Sequence, residues 1–163
     1  MPNTRPDQIF DENGVCNACL SFLRNKNINW NKRFEEFNEI VKEVKTLNNK
    51  WNCVIPSSGG KDSTYQALRA RELGLNPVLV TATTCDLSII GRKNIENLKD
   101  NGFDTVEISN NNITRSKLNK IGLETIGDIA WPEHVSIFTT PIKFALKFRI
   151  PLILYGENPQ IEY

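Results

Sequence analysis

The order of apolar and polar residues along the chain follows two different periods. From Phe34 onward, apolar residues recur at spacings of three and four with charged residues between them, which predicts an amphipathic helix that ends at Asn48 and Asn49. Short apolar or β-branched runs predict strands at 53–56, 77–83, 105–109 and 152–155. Helical patterns lie between these runs at about 63–73, 88–100 and 133–148. Gly74 and Gly102 occupy positions where helices commonly end.

Strands that alternate with helices are typical of a parallel sheet covered by helices on both faces. We therefore expect an α/β fold with a doubly wound, mostly parallel sheet. Residues 1–32 are rich in Asn, Pro and Asp and show little periodicity, so they are predicted to form an irregular leader that contains two cysteines. Residues 33–163 have the length of one domain with its own core.

Charge and hydropathy narrow the class of protein. The chain has 163 residues, with 20 Lys or Arg and 19 Asp or Glu, and this net charge of +1 does not favour a nucleic-acid partner. The longest apolar runs, PVLV and IPLILY, are far shorter than the roughly 20 residues of a membrane helix, and MPNTRPDQ does not resemble a leader peptide. We expect a cytoplasmic protein with no membrane partner, whose four cysteines are reduced.

The most informative stretch is SSGGKDST, residues 57–64, which follows a predicted buried strand and precedes a predicted helix. Loops at this junction of a parallel sheet bind anions, because the helix begins with free N–H groups and a positive dipole end. Gly59 and Gly60 leave room for a ligand against the backbone. The other groups that can contact phosphate are the hydroxyls of Ser58, Ser63 and Thr64 and the ammonium of Lys61.

The loop allows two other interpretations. Asp62 or Ser63 can serve as an ordinary helix N-cap in a strand-to-helix turn, as such residues often do. The loop is also not the GxxxxGK[ST] phosphate-binding loop of ATPases and GTPases, because its lysine and glycines stand at a different spacing. The complete octet after a buried strand favours a phosphate site of another kind.

The stretch SGGKDS resembles the PP-loop signature of the ATP pyrophosphatase family, whose fold is Rossmann-like and of the adenine nucleotide alpha hydrolase type. Within that family, the chain is similar to the N-acetyl sugar amidotransferases of bacterial lipopolysaccharide and O-antigen biosynthesis. This second resemblance rests on three stretches: MPNTRPDQIFDENGVCNAC, GRKNIENLKDNGFDTVEISN and WPEHVSIFTTPIKFALKFRIPLILYGENPQIEY. The likeness covers nearly all of the chain and implies that residues 33–163 are a PP-loop ATP-binding domain.

The resemblance implies a set of site residues. Matching positions imply that ATP and Mg²⁺ are held by Ser58, Gly59, Gly60, Lys61, Asp62, Ser63 and Thr64 around the β and γ phosphates, by Thr83 and Thr84 near the nucleoside, and by Gly156 near the α phosphate. Asp62, Ser63 and Glu157 are implied to take part in catalysis. Glu157 is otherwise a turn carboxylate at a strand end.

The implied reaction splits ATP between its α and β phosphates. The enzyme adenylates the amide oxygen of a nucleotide-linked N-acetyl sugar, and ammonia then displaces AMP to give an acetamidino sugar. Positioning and charge neutralisation carry such a reaction, so no Ser-His-Asp arrangement is needed. Family members receive ammonia from a glutaminase subunit through a barrel-type subunit, and both are implied partners.

Cys16 and Cys19 form a CxxC pair. Family members carry a second such pair at a position upstream of Met1, so the resemblance implies a zinc site of which this chain holds half, and a domain that continues beyond Tyr163. A redox pair, or two cysteines without a special role, are the alternatives. His134, the only histidine, is a candidate general base, although a capping or packing role is more common at a helix start.

Two other functions stay open from sequence. A PP-loop enzyme that transfers sulfur to tRNA requires a cysteine near the loop, and Cys85 is the candidate. A catalytically inactive ATP-binding scaffold subunit requires no acceptor site at all.

Overall fold

The computed structural model describes residues 4, 7–47, 49–84 and 87–157. These residues form six helices and four strands. In chain order they are α1 Asn17–Lys26, α2 Trp30–Thr46, β1 Cys53–Pro56, α3 Lys61–Glu72, β2 Pro77–Thr83, α4 Ile89–Asp100, β3 Asp104–Ser109, α5 Asn112–Ile126, α6 Trp131–Phe148 and β4 Leu152–Ile153. Internal contacts divide the chain into two units, residues 1–40 and 41–163. No helix in the described ranges has the length and hydropathy needed to cross a membrane.

The second unit contains a four-stranded sheet in the order β3-β2-β1-β4. All strand pairs are parallel, and Val54 in the central strand β1 lies opposite Val78 of β2 and Ile153 of β4. Helix α3 contacts β1 and β2, α4 contacts β3, and α6 contacts β1, β2 and β4. Because such crossovers are right-handed, the reversal of direction before β4 puts α6 on the face opposite to α3 and α4. The predicted α/β fold with a doubly wound parallel sheet is confirmed.

The core lies on both faces of β1 and β2. Under α6, a buried cluster consists of Val54, Val78, Val80, Phe144, Ala145 and Ile150. The alternate strand residues Cys53, Ile55 and Leu79 are also buried, and successive strand side chains point to opposite faces. Burial on both faces explains why these strands are continuous apolar runs instead of alternating ones.

Most predicted elements lie within a few residues of the observed ones. Helices α3 and α4 end where glycines were expected, with Gly74 at φ +77° and Gly102 at φ +80°. Helix α2 begins at Trp30 instead of Phe34, and β4 is shorter than the predicted run 152–155. These differences lie at element ends, where local sequence carries the least information.

The prediction of an irregular leader over residues 1–32 is wrong for a large part of that range. Phe10 and Cys16 form an antiparallel bridge, and the Asp11 carboxylate accepts hydrogen bonds from the backbone N–H groups of Asn13 and Val15 at 3.0 and 2.8 Å. Helix α1 follows directly from Cys16. Helix α1 has only 10 residues and no buried residue, so its apolar pattern is too short to identify a helix from the sequence.

Helix α5 was also not predicted. Its apolar residues are spread around the helix, and Ile113, Ile121 and Ile126 are all more than half exposed. The helix is bounded instead by its caps. The Asn111 side chain accepts a hydrogen bond from the Thr114 N–H at 3.0 Å, and Gly127 ends the helix at φ +74°.

Candidate functional site

A pocket of about 160 Å³ opens at the carboxyl edge of the sheet. Its polar lining residues are Ser57, Ser58, Gly60, Asp62, Ser63 and Glu157. Its apolar lining residues, together with the partly polar Tyr155, are Pro56, Val80, Ala82, Ile137 and Phe138, and Gly156 completes the wall. The chain leaves β1 toward β2 on one side, whereas β4 pairs on the other side. The pocket therefore lies at the point where the strand order reverses, which is the usual ligand position in open parallel sheets.

Ser57 anchors the loop after β1. Its N–H donates to the Val80 carbonyl at 3.0 Å, and its carbonyl accepts from the Thr81 hydroxyl at 2.6 Å. The Ser57 hydroxyl accepts from the Gly59 N–H at 3.2 Å and lies 3.1 Å from the Ser63 hydroxyl. Sequence reasoning did not single out Ser57 as a site residue. Its position as the first residue after the strand was the available signal.

Gly59 is buried and has φ +78°. A Cβ atom at this position would lie 3.1 Å from Ile95 Cγ1 and 3.2 Å from Asn94 Cβ. Only glycine combines this backbone conformation with such close packing against α4. Because the Gly59 N–H already donates to Ser57, the glycine that faces the pocket is Gly60.

Helix α3 begins at the pocket without a capping side chain. Gly60 is its N-cap residue, and no side chain accepts a hydrogen bond from the first turn. The alternative in which Asp62 or Ser63 is the N-cap is therefore wrong. The first-turn N–H groups of a helix have no partner within the helix, so the start of α3 is suited to an anion.

Side chains of the first turn of α3 divide between pocket and solvent. The Lys61 ammonium pairs with the Asp62 carboxylate at 2.7 Å, and these side chains are 88% and 68% exposed. Asp62 and Ser63 line the pocket, whereas Lys61 is absent from its lining. The Thr64 hydroxyl donates to the Gly60 carbonyl at 2.8 Å, which leaves only its acceptor lone pairs for another partner.

The end of β2 carries the two threonines implied to lie near a nucleoside. The Thr83 hydroxyl oxygen is buried and has no hydrogen-bond partner among the described residues. The Thr84 carbonyl accepts a hydrogen bond from the Arg115 guanidinium. Neither residue is part of the pocket lining, and Cys85 lies outside the described residues. An unpaired buried hydroxyl is uncommon, and it fits a position where a ligand supplies the missing partner.

The chain after β4 brings the other predicted residues to the same pocket. A Cβ at Gly156 would lie 3.6 Å from Asp62 Cβ, so this turn packs directly against the start of α3. Glu157 is exposed and lines the pocket. The Tyr155 hydroxyl donates to the Phe138 carbonyl at 2.7 Å, and burial raises the pKa of Tyr155. The neutral phenol thus fixes the apolar wall of the pocket.

Carboxylate oxygens from two elements are available for Mg²⁺. Asp62 and Glu157 both line the pocket, and carboxylate oxygens together with phosphate oxygens are the ligands that Mg²⁺ prefers. Within the described ranges, no group of three or more His, Cys, Asp or Glu residues is arranged to hold a metal ion by itself. The residues present therefore fit a magnesium ion that arrives with its phosphates.

The remaining candidates, His134, Cys16 and Cys19, are not among the lining residues of this pocket. His134 is exposed in the first turns of α6, and it is not part of the pocket lining. Hydrogen bonding from the backbone N–H of Cys19 lowers the pKa of Cys16, and hydrogen bonding to Cys16 raises the pKa of Cys19. A zinc site requires further ligands, and zinc binding stays a prediction.

Six predicted site residues therefore meet at one pocket: Ser58, Gly60, Asp62, Ser63, Gly156 and Glu157. Ile137 and Phe138 of α6 also line the pocket, although their spacing in the sequence is that of ordinary core residues. Comparison of the chain with protein-family models and with curated protein sequences finds no significant match.

Proposed function

We propose that this chain binds ATP with Mg²⁺ in the pocket and uses it, as a PP-loop amidotransferase, to replace an amide oxygen of a nucleotide-linked N-acetyl sugar by nitrogen. The observation that carries the proposal is the uncapped start of α3, with Gly60, Asp62 and Ser63 in the wall of a pocket at the reversal of strand order. This arrangement offers N–H groups, hydroxyls and a carboxylate to one polyphosphate.

The phosphates are proposed to lie against the first turn of α3. Backbone N–H groups and the Ser58 hydroxyl donate to phosphate oxygens, while Asp62 and Glu157 hold Mg²⁺ on the pocket side. The Ser63 hydroxyl donates to the Gly60 carbonyl at 3.2 Å, and it rotates away from that carbonyl to donate to a phosphate oxygen. The metal ion supplies positive charge that stabilises the departing pyrophosphate. Thr83, with its unpaired buried hydroxyl, remains the proposed contact on the nucleoside side.

The apolar wall of the pocket is suited to a second substrate that has an apolar group. Ile137, Phe138 and Tyr155 line the pocket beside the polar rim, and the Phe138 and Tyr155 rings lie 5.8 Å apart. An acetamido group presents a methyl group and a carbonyl oxygen side by side, so its methyl group suits this wall while its oxygen faces the phosphates. Excluding water at that point favours attack by ammonia over hydrolysis.

The chemistry explains why ATP is required. An amide carbon is a poor electrophile, and its oxygen does not leave unaided. Transfer of the AMP group to that oxygen, with release of pyrophosphate, converts it into a leaving group. Ammonia then forms the new carbon–nitrogen bond, AMP departs with the oxygen, and an amidine results. A glutaminase with a barrel-type conducting subunit is the proposed ammonia source. ATP and nucleotide-linked sugars are cytoplasmic metabolites, so the proposed reaction belongs to the cytoplasm.

Product analysis tests the proposal. The protein is incubated with Mg²⁺, ATP, ammonium and a pool of nucleotide-linked N-acetyl sugars, and the products are identified by mass spectrometry. We expect AMP, pyrophosphate and a sugar in which NH replaces one oxygen. Asp62→Asn is expected to lower product formation at least tenfold. Glu124→Gln is the matched control, because Glu124 also forms an exposed ion pair with a lysine, on α5.

The alternative outcomes are distinct. If ATP binds but AMP does not form with any sugar, the result supports a nucleotide-binding scaffold instead of an enzyme. AMP formation that depends on tRNA and on Cys85 supports sulfur transfer. Equal activity of Asp62→Asn and wild type contradicts the placement of the phosphates.

A further inference from the structure

Gln66 carries a buried polar atom that the fold does not pair. Its side-chain oxygen Oε1 is enclosed and has no hydrogen-bond partner within the described part of the chain. Buried polar atoms are nearly always hydrogen-bonded, because leaving one unpaired destabilises the folded state. An unpaired carbonyl that persists in a packed position therefore points to a partner that is present only part of the time.

The location of Gln66 beside the pocket indicates that the missing partner is connected with ligand binding. Gln66 lies one helical turn after Asp62 in α3, so both side chains lie on the same side of the helix. A Cβ at Gly156 would lie 3.2 Å from Gln66 Oε1 and 3.6 Å from Asp62 Cβ. Gln66 is thus in contact with the turn that carries Glu157, although it does not line the pocket itself.

The chemistry of the groups restricts the missing partner further. A glutamine carbonyl oxygen only accepts hydrogen bonds, and phosphate oxygens also accept, so the phosphates of ATP cannot pair with it. The turn at Gly156 packs against this oxygen, and its backbone N–H groups are hydrogen-bond donors.

We propose that Gln66 is a positioning residue. When Mg²⁺ and ATP occupy the pocket, its amide oxygen accepts a backbone hydrogen bond from Gly156 or Glu157 and holds that turn against α3. The Glu157 and Asp62 carboxylates then face the same ligand. This inference rests on the proposed function, since Mg²⁺ and ATP supply the attraction that reorients the turn.

The test compares Gln66→Met with wild type. Methionine has similar length and volume but no amide, so it removes the unpaired carbonyl without leaving a large cavity. Thermal unfolding of the ligand-free protein and calorimetric titration with Mg²⁺ and ATP are measured for both. We expect Gln66→Met to unfold at the same or a higher temperature and to bind ATP about tenfold more weakly. Leu68→Met, on the exposed side of α3, is the control and is expected to leave ATP affinity unchanged.

Each other outcome overturns the inference in a different way. Equal ATP affinity in Gln66→Met and wild type overturns the positioning role and leaves the proposed function intact. A lower unfolding temperature of ligand-free Gln66→Met and of a parallel Gln66→Leu variant shows that the amide has a permanent structural partner. If wild type does not bind ATP, the proposed function fails, and the positioning role fails with it.

Discussion

At the scale of single residues, Gly59 allows two costs of replacing a glycine to be compared. One is the cost of the left-handed backbone for a residue with a Cβ atom, and the other is the cost of the contacts that this Cβ atom makes. Gly59 and Gly102 have nearly the same φ, +78° and +80°, but a Cβ at Gly59 meets α4 whereas a Cβ at Gly102 has no atom within 4 Å. Gly102→Ala is expected to cost about 1–2 kcal/mol for the left-handed backbone alone. Gly59→Ala is expected to cost about 1–3 kcal/mol more, because of the contacts with Ile95 and Asn94. Urea denaturation measures both free energies of unfolding.

The glycine pair provides its own control, since the conformational cost is common to both variants. Equal losses of stability in Gly59→Ala and Gly102→Ala would contradict a packing constraint at Gly59 and would show that α4 adjusts freely. In that case Gly59 is needed only for the positive φ of the turn. The outcome matters for the pocket, because the same loop carries Ser57 and Gly60.

Residue types could be predicted from the sequence at this site, but side-chain directions could not. Consecutive helix residues point about 100° apart, so Asp62 and Ser63 reach the pocket while their neighbour Lys61 faces solvent. The motif alone does not show which of these three side chains face the pocket. Likewise, the spacing of Ile137 and Phe138 is typical of ordinary core residues. Their place at the pocket is visible only in the folded chain, where α6 passes beside the loop.

At the scale of elements, β1 contains a buried thiol whose titration is coupled to folding. Burial raises the pKa of Cys53 from 9.0 to about 12. Below pH 9 the thiol is protonated in both the folded and unfolded states. Between pH 9 and pH 12 the unfolded state releases the proton and the folded state keeps it, so stability is lost as the pH rises, by about 1.4 kcal/mol per pH unit.

This linkage predicts a difference between wild type and Cys53→Ala. Between pH 8 and pH 10.5, the unfolding free energy of wild type is expected to fall by about 2 kcal/mol more than that of Cys53→Ala. Urea denaturation at several pH values measures this difference. Other groups that titrate in the same range are common to both proteins and cancel. Parallel pH profiles would contradict a buried, protonated thiol in β1.

Elements were predictable where one face of a helix or both faces of a strand are buried. Helix α6 buries Phe144 and Ala145 against the sheet, so its apolar periodicity is visible in the sequence. Helices α1 and α5 bury almost nothing. The start of α5 depends on its Asn111 cap, whereas α1 has no side-chain cap. Weak local signals of this kind are easily read as loops.

At the scale of the whole molecule, the alternation of strands and helices predicted the class of sheet but not its strand order. The return of the chain to pair β4 with β1 depends on contacts between residues about 100 positions apart, such as the Val54 and Ile153 pair. That pairing creates the reversal of strand order and therefore the pocket. Local hydrophobic patterns specify neither the strand order nor the pocket, because they show only which side of each segment is buried.

The division of the chain into two units leads to a last prediction. All lining residues of the pocket lie between Pro56 and Glu157, within the second unit. A variant that begins at Ile28 keeps Asn29, whose side chain accepts a hydrogen bond from the Lys32 N–H at 3.0 Å and so caps α2. We expect this variant to unfold cooperatively and to bind ATP with Mg²⁺ within about twofold of the affinity of the full chain, equivalent to about 0.4 kcal/mol.

Calorimetric titration and thermal unfolding, run on the short and full chains side by side, check this expectation. If affinity falls at an unchanged unfolding temperature, residues 1–27 contribute to ligand binding, and the pocket within residues 56–157 is incomplete without them. If affinity and unfolding temperature fall together, the same residues contribute to stability. Unchanged values would assign the Phe10–Cys16 bridge, α1 and the Cys16 and Cys19 pair to a role separate from ATP, which is what the positions of the lining residues favour.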